Sequence, residues 1–213
     1  MKCKLVSIGL SMTLIATSAP TLAADLSANV GFNSEYIFRG IPQKTSSAFG
    51  GLDLEAGGFY LGTWGADVGD GLELDYYGGY RFEVDQFSFG IGGTVYTYTG
   101  DFDDTYKEVN FSAGWSFLTF DAAVGNYENF SGPQLDYAYY SLTAELNGFF
   151  GRIATFADDF DGTYYEAGYG STLTVEAANL LDYAFTLIYS DSTLLGGESD
   201  TNFVVTLSKS FDF

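Results

Sequence analysis

From residue 25 onward, hydrophobic and polar residues alternate with a period of two in one segment after another. In the first segment Leu26, Ala28, Val30, Phe32, Tyr36 and Phe38 share one face. Asp25, Ser27, Asn29, Asn33, Glu35 and Arg39 share the other. Successive side chains of a strand point to opposite sides, so this pattern predicts a β-strand with one apolar face. Gly40 to Thr45 breaks the alternation and predicts a loop. Residues 47–56 then set Ala48, Leu52, Leu54 and Ala56 against Ser47, Asp53 and Glu55, and Gly57-Gly58 predicts a tight turn. In 59–68, Tyr60, Trp64, Ala66 and Val68 share the even positions while Phe59 and Leu61 blur the odd ones.

Residues 72–82 alternate most regularly, with Leu72, Leu74, Tyr76, Tyr80 and Phe82 against Glu73, Asp75, Tyr77 and Arg81. Residues 87–99 put Phe89, Ile91 and Val95 outward, and 105–117 put Val109, Phe111, Ala113 and Trp115 opposite Glu108, Asn110 and Ser112. Strands are also predicted over 118–126 and 135–146, the latter with Glu145 on its polar face and Asn147-Gly148 as the hairpin signal behind it. Residues 149–157 fit worst, because Phe150, Ala154 and Phe156 share a face with Arg152. Segments 164–177, 181–190 and 201–213 recover the rule, with Glu166 and Glu176 opposed to Tyr165, Ala167 and Leu173 in the first of them. In the last, Phe203, Val205, Leu207, Phe211 and Phe213 share one parity, with Val204 as the exception on the other.

This makes twelve strands, an even number that returns both ends of the chain to one side. The predicted connections there are short: Gly57-Gly58, Val84 to Gln86, Ser116-Phe117, Asn147-Gly148 and Asn179-Leu180. Those at the other end are longer and acidic: Gly100 to Asp104, Asn126 to Gln134, Asp158 to Gly162 and Asp191 to Asp200. Segments of about ten residues match the ~9–11 that a tilted strand needs to cross a bilayer. Together these features predict an all-β fold, an antiparallel transmembrane β-barrel with both termini periplasmic. Tyr60, Trp64, Tyr76, Tyr80, Trp115, Phe117, Tyr183, Tyr189 and Phe211 are expected as aromatic girdles at the water–lipid boundaries. Lys209, on the lipid-facing parity, is expected to snorkel to the headgroups.

The first residues set the compartment. Lys2 and Lys4, the apolar run Leu5 to Ala16 and the small residues up to Ala23 read as a signal peptide over 1–23, leaving 24–213 as the barrel. The one cysteine, Cys3, and two of the eight Lys and Arg lie in that leader, so its removal takes the formal net charge from −20 to −22. Nucleic acid is therefore not a partner. The 18% aromatic and 46% hydrophobic content excludes a disordered acidic chain.

The chain has no histidine, which removes the Ser-His-Asp triad and the common zinc sets. No enzyme activity and no cofactor are expected. The inward charges Glu35, Arg39, Asp53, Glu55, Glu73, Asp75, Arg81, Glu108, Glu145, Arg152, Glu166, Glu176 and Asp182 read as a channel lining with an excess of acid, which favours cations. The competing reading is an interior network in which Arg39, Arg81 and Arg152 each pair with neighbouring carboxylates and fill a narrow barrel. Twelve strands lie between the filled eight-stranded and the open sixteen-stranded cases. The acidic segments Asp101-Phe102-Asp103-Asp104 and Asp158 to Gly162 lack EF-hand spacing and read as solvated loops, with divalent bridging to lipopolysaccharide as the alternative.

The run Asn29-Val30-Gly31-Phe32-Asn33-Ser34-Glu35-Tyr36-Ile37-Phe38-Arg39-Gly40-Ile41-Pro42-Gln43 resembles the opening signature of the TorF-like porin family of proteobacteria, with Pro42 where a Ser is usual. Gly50 to Asp53, Phe59 to Trp64 and Glu73 to Tyr80 are similar to that family too. The resemblance implies an outer-membrane barrel and a pore, and brings no catalytic residues. The expectation is thus a narrow, cation-leaning porin in a Gram-negative outer membrane. Its partners are lipid and lipopolysaccharide, small ions or solutes, and the barrel-assembly machinery reading the strand that ends at Phe213. The alternatives are a closed barrel acting through its acidic outer loops and a soluble secreted β-sandwich.

Overall fold

Each alternating segment becomes a strand, and the last strand pairs with the first. The computed structural model describes residues 24–176 and 178–213; the signal peptide predicted over 1–23 lies outside them. The elements are β1 (Asp25–Phe38), β2 (Ile41–Ala56), β3 (Phe59–Gly69), β4 (Gly71–Val84), β5 (Phe87–Tyr98) and β6 (Tyr106–Trp115). They continue as β7 (Leu118–Tyr127), β8 (Leu135–Leu146), β9 (Phe149–Asp158), β10 (Thr163–Val175), β11 (Ala178–Ser190) and β12 (Asp200–Asp212). Every neighbour is antiparallel, and β1 meets β12 over Ser27↔Asp212 to Asn33↔Thr206, closing one barrel. Closure pairs the first strand with the last over that stretch and excludes the β-sandwich.

The register sets which face is which. Leu72, Tyr76, Phe82, Ile91, Val109, Phe111, Phe120, Leu142, Phe185, Leu187 and Leu207 are exposed on the outside. Asn33, Glu73, Asp75, Thr94, Glu108, Ser141, Thr186 and Thr206 are buried inside. An apolar exterior around a polar, charged interior inverts the arrangement of a water-soluble domain.

Two predicted details are corrected, and the irregular face predicted on 149–157 is accounted for. Tyr60, Trp64, Ala66 and Val68 face inward while Phe59 and Leu61 face out, so Tyr60 and Trp64 belong to no girdle. On β9 the mixed face of Phe150, Arg152, Ala154 and Phe156 is the inner one, because the interior takes up apolar as well as charged side chains. The hairpin predicted at Asn179-Leu180 turns instead between Val175 and Ala178, with Glu176 in the left-handed region at φ 49°. By contrast, Asn147-Gly148 forms the expected two-residue turn, both residues having positive φ as a type I′ hairpin requires.

The largest departure is at β1–β2. No loop spans Gly40 to Thr45; a two-residue turn, Arg39-Gly40 with φ 47° and 81°, joins the strands. The β1–β12 ladder ends at Asn33–Thr206, and the β2–β3 ladder begins only at Phe49–Ala66. Beyond those points the two strands pair with each other alone, and their tip turns into the lumen. The change of face occurs at Ser34 and Ser46, where Ser46 has φ 66°. Asn33 and Tyr36 are both buried inside although three residues apart, which a regular strand forbids. Lys209, finally, donates from its ammonium to the Asn179 carbonyl on the neighbouring strand.

Candidate functional site, the barrel interior

The wall of the interior is built by the pleat: β4 contributes Glu73, Asp75, Tyr77 and Arg81, β5 contributes Tyr96 and Tyr98, β6 contributes Glu108 and β8 contributes Tyr137 and Tyr139. The tip of the β1–β2 hairpin meets this wall. Ile37 packs against the cluster of Tyr137, Tyr139, Phe156, Tyr164, Ile188 and Val204, while Phe38 packs toward Ala66, Val68 and the Tyr96 ring, 5.4 Å away. The tip thus bridges walls on both sides of it. Gly40 is required at its apex, because a Cβ there would stand 2.6 Å from Tyr164 and 2.8 Å from Leu194. Its carbonyl accepts from Ser190 Oγ at 2.6 Å.

Arg39 makes the central contact. Its Nη1 and Nη2 donate to Glu108 Oε2 and Oε1 at 2.9 and 2.8 Å, a bidentate fork. Glu108 also accepts from Tyr96 Oη at 2.8 Å, Tyr137 Oη at 2.8 Å and Asn110 Nδ2 at 2.7 Å. The guanidinium lies 4.2 Å from the centre of the Tyr139 ring and 5.1 Å from that of Phe38. The Glu108 side chain is 0% exposed and that of Arg39 13%. A carboxylate removed from water is tolerated when each lone pair finds a donor, and this one does.

Beside this pair lie two carboxylates with no arginine of their own. Glu73, 0% exposed, accepts from the Tyr36 hydroxyl and from Tyr98 Oη at 3.0 Å. Asp75, 1% exposed, has an oxygen, Oδ1, that is buried with no hydrogen-bond partner. Elsewhere Arg152 pairs with Glu166 at 3.1 Å and donates to Thr143 at 2.9 Å, and Tyr139 and Tyr164 share a 2.7 Å hydroxyl contact. Nearer the terminal end Arg81 pairs with Glu55 at 2.7 Å and covers the Tyr60 ring at 4.1 Å. Tyr77 donates to Asp53 at 2.6 Å and Thr172 to Asp182 at 2.5 Å.

All three predicted inner arginines therefore carry a carboxylate, in the manner of the interior network. The predicted residues Asp53, Glu55, Glu73, Asp75, Arg81, Glu108, Glu145, Arg152, Glu166 and Asp182 stand on inward positions. Arg39 enters from the tip rather than the wall. One prediction is corrected: Glu176 sits exposed in the β10–β11 turn. Glu35 is half-buried on the hairpin that enters the lumen. The sequence reading placed Tyr77 with the inner charges but missed Tyr96, Tyr98 and Tyr137, which donate to Glu73 and Glu108, and Asp121, which meets Ser141 Oγ at 3.5 Å. Their signal was present, since Tyr96, Tyr98, Tyr137 and Tyr139 share parity with Thr94, Ser141 and Thr143. Among the described residues no set of three metal-ligating side chains converges.

No curated protein matches the chain. Among solved structures, a chain from work on the in-meso crystallization of membrane proteins superposes with a TM-score of 0.59 at 8% identity, covering 89% of this chain and 84% of that one. At that identity the likeness is one of fold. The outer membrane proteins OprD and OpdK of Pseudomonas aeruginosa give TM-scores of 0.45 and 0.44 at 14% and 13% identity, covering 89% and 80% of this chain. The chain spans only 65% and 58% of those two proteins, and scores of this size carry no argument about it. A family model of bacterial proteins of unknown function matches residues 17–211, nearly the whole barrel, and the chain belongs to that family, Gcw_chp.

Proposed function

We propose that this chain is an outer-membrane barrel of Gram-negative bacteria, exported through a cleaved leader over residues 1–23, with both termini in the periplasm. It forms a narrow, cation-leaning path for small solutes, as the resemblance to TorF-like porins implies, and it is not an enzyme. One observation carries this reading: the closed barrel is apolar outside and charged inside, with Glu73 and Asp75 in excess of the arginines that pair with other carboxylates. A negative lining attracts cations and repels anions. Its outer surface would meet lipid, its acidic loops would meet lipopolysaccharide through divalent ions, and β12 up to Phe213 would be read by the assembly machinery.

The test is conductance of the refolded chain in a planar bilayer under a salt gradient. Steady conductance with a reversal potential toward the cation equilibrium value supports the reading. A second reading, a permanently closed barrel acting through its outer loops, is favoured by the β1–β2 tip seated in the lumen. Silence from protein whose unboiled form migrates differently from the boiled form on a detergent gel would establish that second reading. Identical migration with solubility in the absence of detergent would overturn the membrane assignment.

A further inference from the structure

The groups around Arg39 form a complete guanidinium receptor. Glu108 offers one oxygen to each arm of the fork, and the centre of the Tyr139 ring lies 4.2 Å from the guanidinium carbon. Tyr96 and Tyr137 hold the carboxylate from behind. All four residues belong to wall strands β5, β6 and β8, whose ladders are continuous here: Thr94↔Glu108, Glu108↔Gly125 and Gly125↔Tyr137. The backbone that carries the receptor is thus held by the wall and not by the tip. Its occupant, by contrast, comes from a two-residue turn whose strands have left the wall. That occupant also holds a left-handed φ of 47°, which a non-glycine residue seldom adopts. A receptor built by the wall and a ligand carried in on a hairpin tip are the arrangement of a self-bound mimic.

We propose that the Glu108–Tyr139 pocket is a binding site for solutes bearing a guanidinium group, and that Arg39 occupies it as an internal stand-in which such a solute displaces. The chemistry selects this class. A planar cation with two parallel N–H donors satisfies both Glu108 oxygens at once and stacks on Tyr139, whereas sodium or a primary ammonium does only part of this. The nearby excess of carboxylate, Glu73 and Asp75, adds attraction for any cation without choosing among them. The inference rests on the pathway reading only in that the solute must reach the interior.

The test uses Arg39→Ala in the full-length barrel, purified in detergent, with methylguanidinium as the probe and sodium chloride as the control. A single bidentate pair gives roughly millimolar affinity, so about 10 mM probe should raise the heat-conversion midpoint of Arg39→Ala by about 4 °C. Equal sodium chloride should leave it unmoved, and the double variant Arg39→Ala/Glu108→Gln should not respond to the probe. An equal response to sodium, or a response that survives in the double variant, overturns the proposal. Should Arg39→Ala fail to fold, Arg39→Gln fills the tip without the cation and is scored in the same way. Because the readout is thermal, it stands even if the barrel conducts nothing, so loss of the pathway reading and loss of the site are separate results. In a conducting barrel, probe on the loop side of wild type should raise the current beyond that of equal sodium, and an unchanged current overturns the displacement step.

Discussion

Replacing Glu108 by Gln tests how much of the closed interior depends on one charge. The substitution keeps the size of the side chain and one carbonyl oxygen. It leaves the Arg39 guanidinium, 13% exposed, without its anion and turns an NH2 group toward hydroxyls that now donate to Glu108. Removing one partner of a buried ion pair costs about 3–5 kcal/mol, because the remaining charge stays desolvated. In a chain of this length each kcal/mol moves the midpoint by ~2–4 °C, so Glu108→Gln should fall roughly 10 °C below wild type. The matched control is Glu55→Gln. Its pair with Arg81 has a similar length, 2.7 Å, but the Glu55 side chain is 43% exposed, and pairs of that kind are worth ~0–1 kcal/mol. The assay is conversion of the folded to the unfolded band on a detergent gel, with all variants heated at one rate. If Glu108→Gln converts at the same temperature as Glu55→Gln, burial does not govern these pairs and the central role given to Glu108 is wrong.

Phe111, exposed in the middle of β6 between Ile91 and Ala122, should reject arginine: Phe111→Arg is expected to lose ~2–4 kcal/mol in vesicles if it faces mid-bilayer. Folding yield unchanged by that variant would contradict the lipid-facing assignment. On β5 a Cβ at Gly92 would overlap the Tyr60 hydroxyl, so Gly92→Ala should cost about 1–3 kcal/mol by overpacking. Tyr60→Phe should return part of that loss in a double-mutant cycle, and strict additivity would refute the contact. Finally, Glu73→Gln with Asp75→Gln should shift the reversal potential of a conducting barrel toward the anion side, and unchanged selectivity would remove these two residues from the pathway.

Much of the wall is legible in the sequence because a lipid-facing strand has a strict period. On β4, β6 and β10 to β12 nearly every other residue is apolar; on β12 Val204 breaks the pattern by turning inside and Lys209 by standing on the outward parity. Strand number and most turns follow from the same constraint. The interior is less legible. Parity divides a strand into two faces but does not say which is the lumen when both are apolar, as on β3 with Tyr60 and Trp64 against Phe59 and Leu61, or on β9. The seat of Arg39 is not legible at all. Its partner is 69 residues away, so no local pattern names it.

The point where the β1–β12 ladder stops, at Asn33 and Thr206, has a consequence for how firmly the hairpin is committed to the lumen. Above it Asp200 to Val204 have a ladder on the β11 side only. If β1 simply ran straight on, the same register would set Tyr36 beside Phe203, two outward aromatics, and would turn Glu35 and Arg39 inward. Apart from Ser34 and Ile37, the alternation from Leu26 to Phe38 is that of such an upright strand, whereas the folded chain changes face at Ser34. One stretch of sequence is thus compatible with two berths, and moving between them exchanges hydrogen bonds inside the lumen for hydrogen bonds along a vacant strand edge. A hairpin with two such berths would need no spare chain to store it.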